Sequence, residues 1–284
     1  MAHSDAVTTP AGDAVSATRQ DHVSAQTLAV RDLVAGLRKW RLWGLMGWQD
    51  IRLRYRRSAL GPFWLTLSMG VLVGTLGLLY STLFKTEIAD YLPFLALGFL
   101  AWGLISGIIT DGCTAFINSE RFIKQIKLPF STFVYQMIWR NFIIFAHNFA
   151  VYVVVAIVFG IWAGSAALLL IPGIVLIAAT AVWIGLLFGM ICARFRDVPQ
   201  IVASVLQMAF FLTPIIWKPE LLENRIVFVQ INPFFHFVEL VRAPLLGQAP
   251  TALTWVVALG VTVGGWLVTF LFFRRFRSRI PYWV

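Results

Sequence analysis

The chain has 284 residues, of which 59% are hydrophobic and only 13% are charged. Soluble domains have roughly 45–50% apolar and about 25% charged residues, so this composition excludes an ordinary water-soluble fold. The net charge of +10 would suit a nucleic-acid-binding protein, but the cations lie in clusters between long apolar runs. Because Lys and Arg are retained on the cytosolic side of a membrane, the pattern predicts a multi-pass protein surrounded by lipid, with no nucleic-acid partner.

The N-terminal residues differ in composition from the rest of the chain. Residues 1–32 are rich in Ala, Thr, Ser and Asp without an apolar period, which predicts a disordered cytosolic tail. Over residues 33–57, apolar side chains recur at helical spacing with arginines beside them, which predicts an amphipathic helix in the cytosolic membrane interface. A simple juxtamembrane anchor, with Trp side chains at headgroup depth, is the alternative interpretation.

Six apolar runs follow, and each has about 20 residues or more, the length that is needed to cross a bilayer. The predicted transmembrane spans are residues 62–84, 91–117, 131–159, 166–192, 199–217 and 251–273. Four arginines between 274 and 279 then keep the C-terminus on the same side as the N-terminus. We therefore predict an all-α membrane domain over residues 58–284, with six transmembrane helices and both termini in the cytosol.

Two connections between the spans contain predicted helices of their own. The polar segment 118–129 places apolar side chains such as Phe122 on one side and charges on another. It is too short to be stable alone in water, so it must pack against another element. Residues 218–250 contain two semi-apolar segments, 221–229 and 234–246, that are too short to span the membrane. They predict two short helices at the outer surface of the membrane.

The sequence has no motif that indicates a soluble active site. It lacks a phosphate-binding loop of the G-x-x-x-x-G-K-[ST] type, an H-E-x-x-H helix and a G-x-S-x-G turn. Neither ATP binding through such a loop nor a metal or cofactor site is therefore predicted. The two cysteines, Cys113 and Cys192, are far apart in sequence and predict free thiols.

Ionisable residues within predicted spans are the first candidates for function. Asp111 and Arg140 are both placed within the bilayer, and we expect them to pair or to face a water-accessible channel. A structural ion pair between neighbouring helices is the alternative.

Aromatic residues are abundant, and rings within the spans can stack on sugar C–H faces without requiring one hydroxyl pattern. The candidate channel-lining rings are Trp102, Phe116 and Trp139, although a lipid-facing or core position is the alternative for each. His236, Glu239 and Arg242 recur at intervals of three and share one helix face. They predict a gate at an exit on the outer side of the membrane, or else the solvated face of a surface helix.

Several segments resemble, in chain order, the permease subunits of polysaccharide-exporting ABC transporters, a group that includes the O-antigen, capsule and teichoic-acid exporters. Residues 54–64 (RYRRSALGPFW) are similar to the start of their first span. Residues 194–198 and 212–215 resemble their fifth-span region, and residues 232–234 with 239–247 resemble their outer segment before the last span. The likeness extends from about residue 33 to the end of the chain.

This resemblance implies a non-catalytic homodimer in the bacterial inner membrane, in which each copy pairs with one cytosolic ATPase subunit that binds ATP and Mg²⁺. The implied substrate is an O-antigen-type polysaccharide on undecaprenyl pyrophosphate, moving between the two permeases. The implied roles of 33–55 and 218–247 are an interface helix and periplasmic gate helices. The implied ATPase-coupling helix contains Glu120, Arg121, Phe122, Ile123, Lys124 and Gln125.

The basic cluster before the first span consists of Arg52, Arg54, Arg56 and Arg57. The resemblance implies that it could meet the pyrophosphate of the carrier lipid. Its alternative role is to keep this segment in the cytosol.

Two other functions stay open from the sequence. The first is an ABC permease of the same architecture that moves a drug or a small lipid. The second is an ATP-independent flippase or a membrane glycosyltransferase, which is disfavoured because an enzyme needs convergent acids or bases and the spans contain only Asp111 as an acid.

Overall fold

The structure is a computed structural model that describes residues 25–54, 56, 61, 63–220 and 227–284. Its regular structure within these ranges is entirely helical, as predicted. The α-helices are α1 (Ala25–Arg38), α2 (Trp40–Arg54), α3 (Phe63–Leu83), α4 (Ile88–Thr114), α5 (Glu120–Gln125), α6 (Ser131–Phe159), α7 (Leu170–Arg194), α8 (Val198–Leu212), α9 (Val227–Ile231), α10 (Pro233–Leu245), α11 (Ala252–Phe276) and α12 (Ile280–Trp283).

Five of the helices are long and apolar enough to cross a membrane, namely α3, α4, α6, α7 and α11. They correspond to the first, second, third, fourth and last predicted spans. The predicted fifth span contains α8, which has only 15 residues and is about 22 Å long at 1.5 Å per residue. It ends at Leu212 because Pro214 follows and the next residues form an irregular bend. The count of six spans therefore stays a prediction.

The N-terminal segment is organised differently from the single helix predicted over 33–57. α1 begins at Ala25, so the predicted tail boundary at residue 32 falls inside a helix, and residues 1–24 lie outside the described residues. A break at Lys39 separates α1 from α2. The predicted outer helix over 221–229 lies mostly outside the described residues, whereas α10 occupies the position of the second one.

The centre of the bundle is α4, which packs against α3, α6, α7, α8 and α10. α4 and α7 approach so closely that a Cβ atom on Gly112 would lie 3.3 Å from the Cα atom of Gly185. Small residues at such positions allow helix backbones to meet within a membrane. α3 is much less buried than α4, so its outer face is left for lipid or for another chain.

The helix directions define two ends of the bundle. We call the end that contains α5, residues 194–197 and residues 277–284 the arginine-rich end. The opposite end contains residues 85–87, the connection at 160–164 and α10. The charge distribution predicts that the arginine-rich end faces the cytosol.

The contact between α7 and α10 gives a test of the packing. A Cβ atom on Gly173 would lie 2.8 Å from the backbone oxygen of Leu240, whereas one on Gly74 of α3 would meet no atom within 4 Å. We expect Gly173→Ala to lower the free energy of unfolding by about 1–3 kcal/mol through overpacking. Gly74→Ala, the control, should be neutral or stabilise by up to about 1 kcal/mol because it improves helix propensity. Thermal unfolding in detergent, followed by circular dichroism, measures both, and equal behaviour of the two variants would contradict the predicted packing.

Candidate functional site

The predicted coupling helix is α5, a six-residue helix at the turn between α4 and α6. The Lys124 ammonium donates to Glu120 Oε1 at 2.6 Å along its surface, and this bond lowers the pKa of Glu120. Arg121, Lys124 and Gln125 are exposed, and the Phe122 side chain is 47% exposed although it is aromatic. Ile123 faces inward and packs on the core. α5 thus presents a mixed basic and apolar surface.

The predicted pairing of Asp111 and Arg140 is present in the structure. The Arg140 guanidinium donates through Nη2 to Asp111 Oδ2 at 2.9 Å, joining α6 to α4. It donates through Nη1 to Asp50 Oδ2, also at 2.9 Å, and so joins α6 to α2. Asn141 adds a hydrogen bond to Asp111 at 2.8 Å, and Gln136 adds one to Asp50 at 2.9 Å. We call Asp50, Arg140 and Asp111 the ionic triad.

Sequence reasoning missed Asp50. It lies in α2 among arginines, where a single acid suggests no particular partner. One signal could have found it, because Asp50 is the only acidic residue in α2. A lone acid on a helix rich in arginine can pair with a cation from the bundle, such as Arg140.

The ionic triad lies next to α5. A cavity of about 130 Å³ separates them and is lined by Asp50, Arg140, Ser119 and Phe122, among others. The triad has two negative charges and one positive charge, and its side chains are 15–30% exposed. Partial exposure to water lowers the cost of holding the unbalanced carboxylate.

The basic cluster before α3 is only partly described. Arg52 and Arg56 are exposed, which leaves both guanidinium groups accessible to an anion. Arg57 and the side chain of Arg54 lie outside the described residues.

The predicted channel-lining rings have three different environments. Phe116 is fully buried and packs edge-on against Phe130, with ring centroids 6.3 Å apart, so it is a core residue in this structure. Trp102 is 8% exposed and borders a groove between α4 and α8 that has a volume of about 410 Å³. Trp139 is 42% exposed and contacts Trp43 of α2. The structure therefore does not bring the three rings together.

The predicted gate residues lie on α10, and two of them are buried. The His236 ring is enclosed, with Nε2 2.8 Å from the Gln230 carbonyl oxygen and Nδ1 3.2 Å from Thr254 Oγ1. Arg242 is also enclosed, because α10 packs against α4, α7 and α11. Neither side chain is exposed at the protein surface. The sequence placed the three residues on one face correctly but did not show that this face turns inward.

Arg242 and Glu239 form a pair at the opposite end. Arg242 Nη1 donates to Glu239 Oε1 at 3.1 Å, and the guanidinium carbon lies 3.9 Å from the centroid of the Phe94 ring. Burial raises the pKa of Glu239, although the charge of Arg242 and its hydrogen bond oppose this effect. Glu239 borders a cavity of about 590 Å³ that the other two predicted gate residues, His236 and Arg242, also line.

Comparison with known proteins places the chain in a family. Residues 41–246 match the ABC-2 type transporter membrane family. The chain belongs to this family. It is therefore the membrane subunit of an ABC transporter, and ATP is hydrolysed by a separate subunit, as predicted. Within the described ranges, no group of three or more His, Cys, Asp or Glu side chains is arranged to hold a metal ion.

Three individual relatives share between 20% and 23% sequence identity with this chain. The chain is similar to the O-antigen export system permease protein RfbA of Myxococcus xanthus, with 23% identity over 65% of this chain and 72% of that protein. Two proteins of the same name from Klebsiella pneumoniae are also similar. One is 23% identical over 62% of this chain and 69% of its own length, and the other is 20% identical over 76% and 86%.

The ionic triad predicts how charge substitutions combine. Arg140→Gln leaves two carboxylates without their cation and should lower the free energy of unfolding by on the order of 2 kcal/mol, below the 3–5 kcal/mol of a fully buried pair. Adding Asp111→Asn and Asp50→Asn should restore part of this loss, because no unpaired carboxylate remains.

Thermal unfolding in detergent compares the single and triple variants. Arg38→Gln removes an exposed arginine from α1 and serves as the control, with an expected effect within about 0.5 kcal/mol. A triple variant that is less stable than Arg140→Gln would contradict the predicted coupling.

Proposed function

We propose that this chain is the permease of an ATP-driven exporter of O-antigen-type polysaccharide linked to undecaprenyl pyrophosphate. It acts as a homodimer in the bacterial inner membrane with two ATPase subunits, and both termini are cytosolic. The supporting relatives are O-antigen export system permeases by name. The observation that carries the proposal is the exposed surface of α5 at the arginine-rich end.

The surface of α5 fits a docking site for a cytosolic ATPase. A helix of six residues is not stable by itself in water, yet α5 exposes Phe122 and, just beyond its last residue, Ile126, which is 49% exposed. Burying these side chains under a partner subunit would contribute about 25 cal/mol for each Å² of apolar area. Basic residues beside them can pair with acids on that subunit.

Three groups of residues along the bundle, from the arginine-rich end to the opposite end, are assigned to the substrate path. Arg52 and Arg56 are exposed, and we infer that they meet the pyrophosphate at the cytosolic leaflet, because guanidinium groups bind phosphate oxygens well. Trp102 and Trp139 are the remaining candidates for rings along the polysaccharide path. At the opposite end, Glu239 borders the large cavity and is the candidate for a polar contact at a periplasmic gate.

The exposed apolar face of α8 is the proposed contact surface for a second copy of the chain. Apolar side chains are exposed along this helix, including Ile201, Val205, Met208 and Phe211. The groove beside Trp102 lies against the same helix. We infer that two permeases enclose the polysaccharide path with this side of each copy.

Reconstitution tests the proposed function. The permease is purified with its co-expressed ATPase and placed in proteoliposomes that contain undecaprenyl-linked polysaccharide. We expect polysaccharide to cross the membrane only when ATP and Mg²⁺ are supplied. Transport of a short lipid or a drug instead would favour the small-molecule permease. Transport at the same rate with and without ATP would contradict the proposal, and so would purification of the permease without any bound ATPase.

A substitution on α5 tests the docking surface. Phe122→Arg should abolish co-purification of the ATPase and ATP-dependent export, because the apolar contact is replaced by a desolvated charge. The amount of permease in the membrane should stay unchanged, since Phe122 is half exposed. Trp162→Arg is the matched control, because Trp162 is 89% exposed at the opposite end. Normal export by Phe122→Arg would contradict the docking role.

A further inference from the structure

Asp32 of α1 is a carboxylate that is 3% exposed and yet holds four donors. Its Oδ2 accepts the backbone N–H of Phe130 at 3.2 Å, and Oδ1 accepts that of Ser131 at 3.0 Å. Both N–H groups belong to the start of α6. The other two donors come from Arg277, whose Nε and Nη2 both lie 2.8 Å from Oδ2.

α1 and α6 approach each other closely at this point. The Ser131 hydroxyl donates to the Asp32 carbonyl oxygen at 2.8 Å. A Cβ atom on Gly36 would lie only 2.1 Å from Ser131 Oγ, so α1 cannot approach this closely with a larger residue there. The Tyr135 hydroxyl donates to the Leu33 carbonyl oxygen at 3.3 Å, one turn further along α6.

Arg277 connects this cluster to the C-terminal residues. Its guanidinium lies 5.3 Å from the centroid of the Phe130 ring. Three residues later α12 begins, and Ile280 at its start is fully buried. α12 packs against α5. One arginine therefore joins the start of α6 to the element that supports the predicted coupling helix.

α5 is a short helix that is held by the packing of Ile123 on the core and by the contact with α12. No side chain caps its N-terminus. Only the five residues 126–130 connect it to α6, and the last of them, Phe130, is bound by Asp32. The linker is therefore fixed at its α6 end by a charged acceptor, which forms stronger hydrogen bonds than a neutral one. A carboxylate at a helix N-terminus is also favoured by the helix dipole.

We propose that Asp32 and Arg277 are positioning residues of the ATP-driven step. Together they make the linker 126–130 stiff, so that a displacement of α5 by the ATPase moves α6 instead of bending the linker. This inference rests on the proposed function and deepens it. It assigns a role in force transmission to α1 and to the C-terminal residues, neither of which lies within the matched residues 41–246.

The experiment separates transmission from docking and from folding. Arg277→Gln, Arg277→Lys and the control Arg275→Gln are each purified with the ATPase and reconstituted with undecaprenyl-linked polysaccharide. Arg275 is exposed two residues away and belongs to the same basic run. Four quantities are measured: permease in the membrane, ATPase co-purified, ATP hydrolysis and ATP-dependent export.

We expect Arg277→Gln to lower export by about tenfold or more, the scale of a lost charge-assisted hydrogen bond. Co-purification of the ATPase and the rate of ATP hydrolysis should match those of Arg275→Gln, so that ATP is consumed without transport. Arg277→Lys retains the charge but not the two-point contact and should give intermediate export.

Each other result overturns the inference. Equal export by Arg277→Gln and Arg275→Gln would show that the pair does not transmit movement. Loss of ATPase binding would assign it to docking, and loss of both Arg277 variants from the membrane would assign it to folding. If the unsubstituted complex itself shows no ATP-dependent polysaccharide export, the proposed function fails independently of this inference.

Discussion

The position of Arg140 between two carboxylates constrains the architecture of this membrane subunit. A cation on a transmembrane helix is expensive in hydrocarbon unless partners are supplied within the protein. Here α4 supplies Asp111 and α2 supplies Asp50, both at 2.9 Å. Neither helix can move away from α6 without leaving a charge uncompensated. α2 is therefore fixed to the bundle by an ion pair as well as by its apolar side chains.

The two ends of the bundle are held together differently. At the arginine-rich end, charged side chains join segments that are distant in sequence, as Asp32 and Arg277 do. At the opposite end, Arg242 and Glu239 are neighbours on one helix, and the arginine is covered by the Phe94 ring. The links at the arginine-rich end fix distant segments relative to one another, whereas the pair at the opposite end joins two residues of a single helix.

The sequence predicted the long helices well because length and apolarity are direct requirements of a bilayer. It also predicted the pairing of Asp111 with Arg140, since isolated charges in apolar runs need partners. Asp32 and Asp50 escaped notice because they lie in polar or basic stretches, where water or neighbouring cations can satisfy an acid and no partner in the bundle is indicated. The inward orientation of His236 and Arg242 was not predictable from spacing, which shows that residues share a face but not what covers it.

The length of α8 likewise depends on a single proline, which a hydropathy pattern does not take into account. Its apolar composition alone predicts a longer span, but Pro214 ends the helical hydrogen bonding near Leu212. The bend that follows Leu212 is contacted by the residue that precedes α10. The Asn232 side chain donates to Thr213 Oγ1 at 2.9 Å, while its oxygen accepts from the N–H of Phe234 at the start of α10. One asparagine thus sets the position of α10 against the end of α8.

The glycine contacts between α4 and α7 have a mechanical consequence. Where Gly112 faces Gly185, the two backbones approach with no side chain between them, and the Phe116 ring just beyond α4 packs directly on Gly189. Packed interiors resist such compression, so α4 and α7 behave as a single rigid plate. Movements that open a path through this membrane subunit are then expected at the borders of that plate, where α3 and α8 pack against α4.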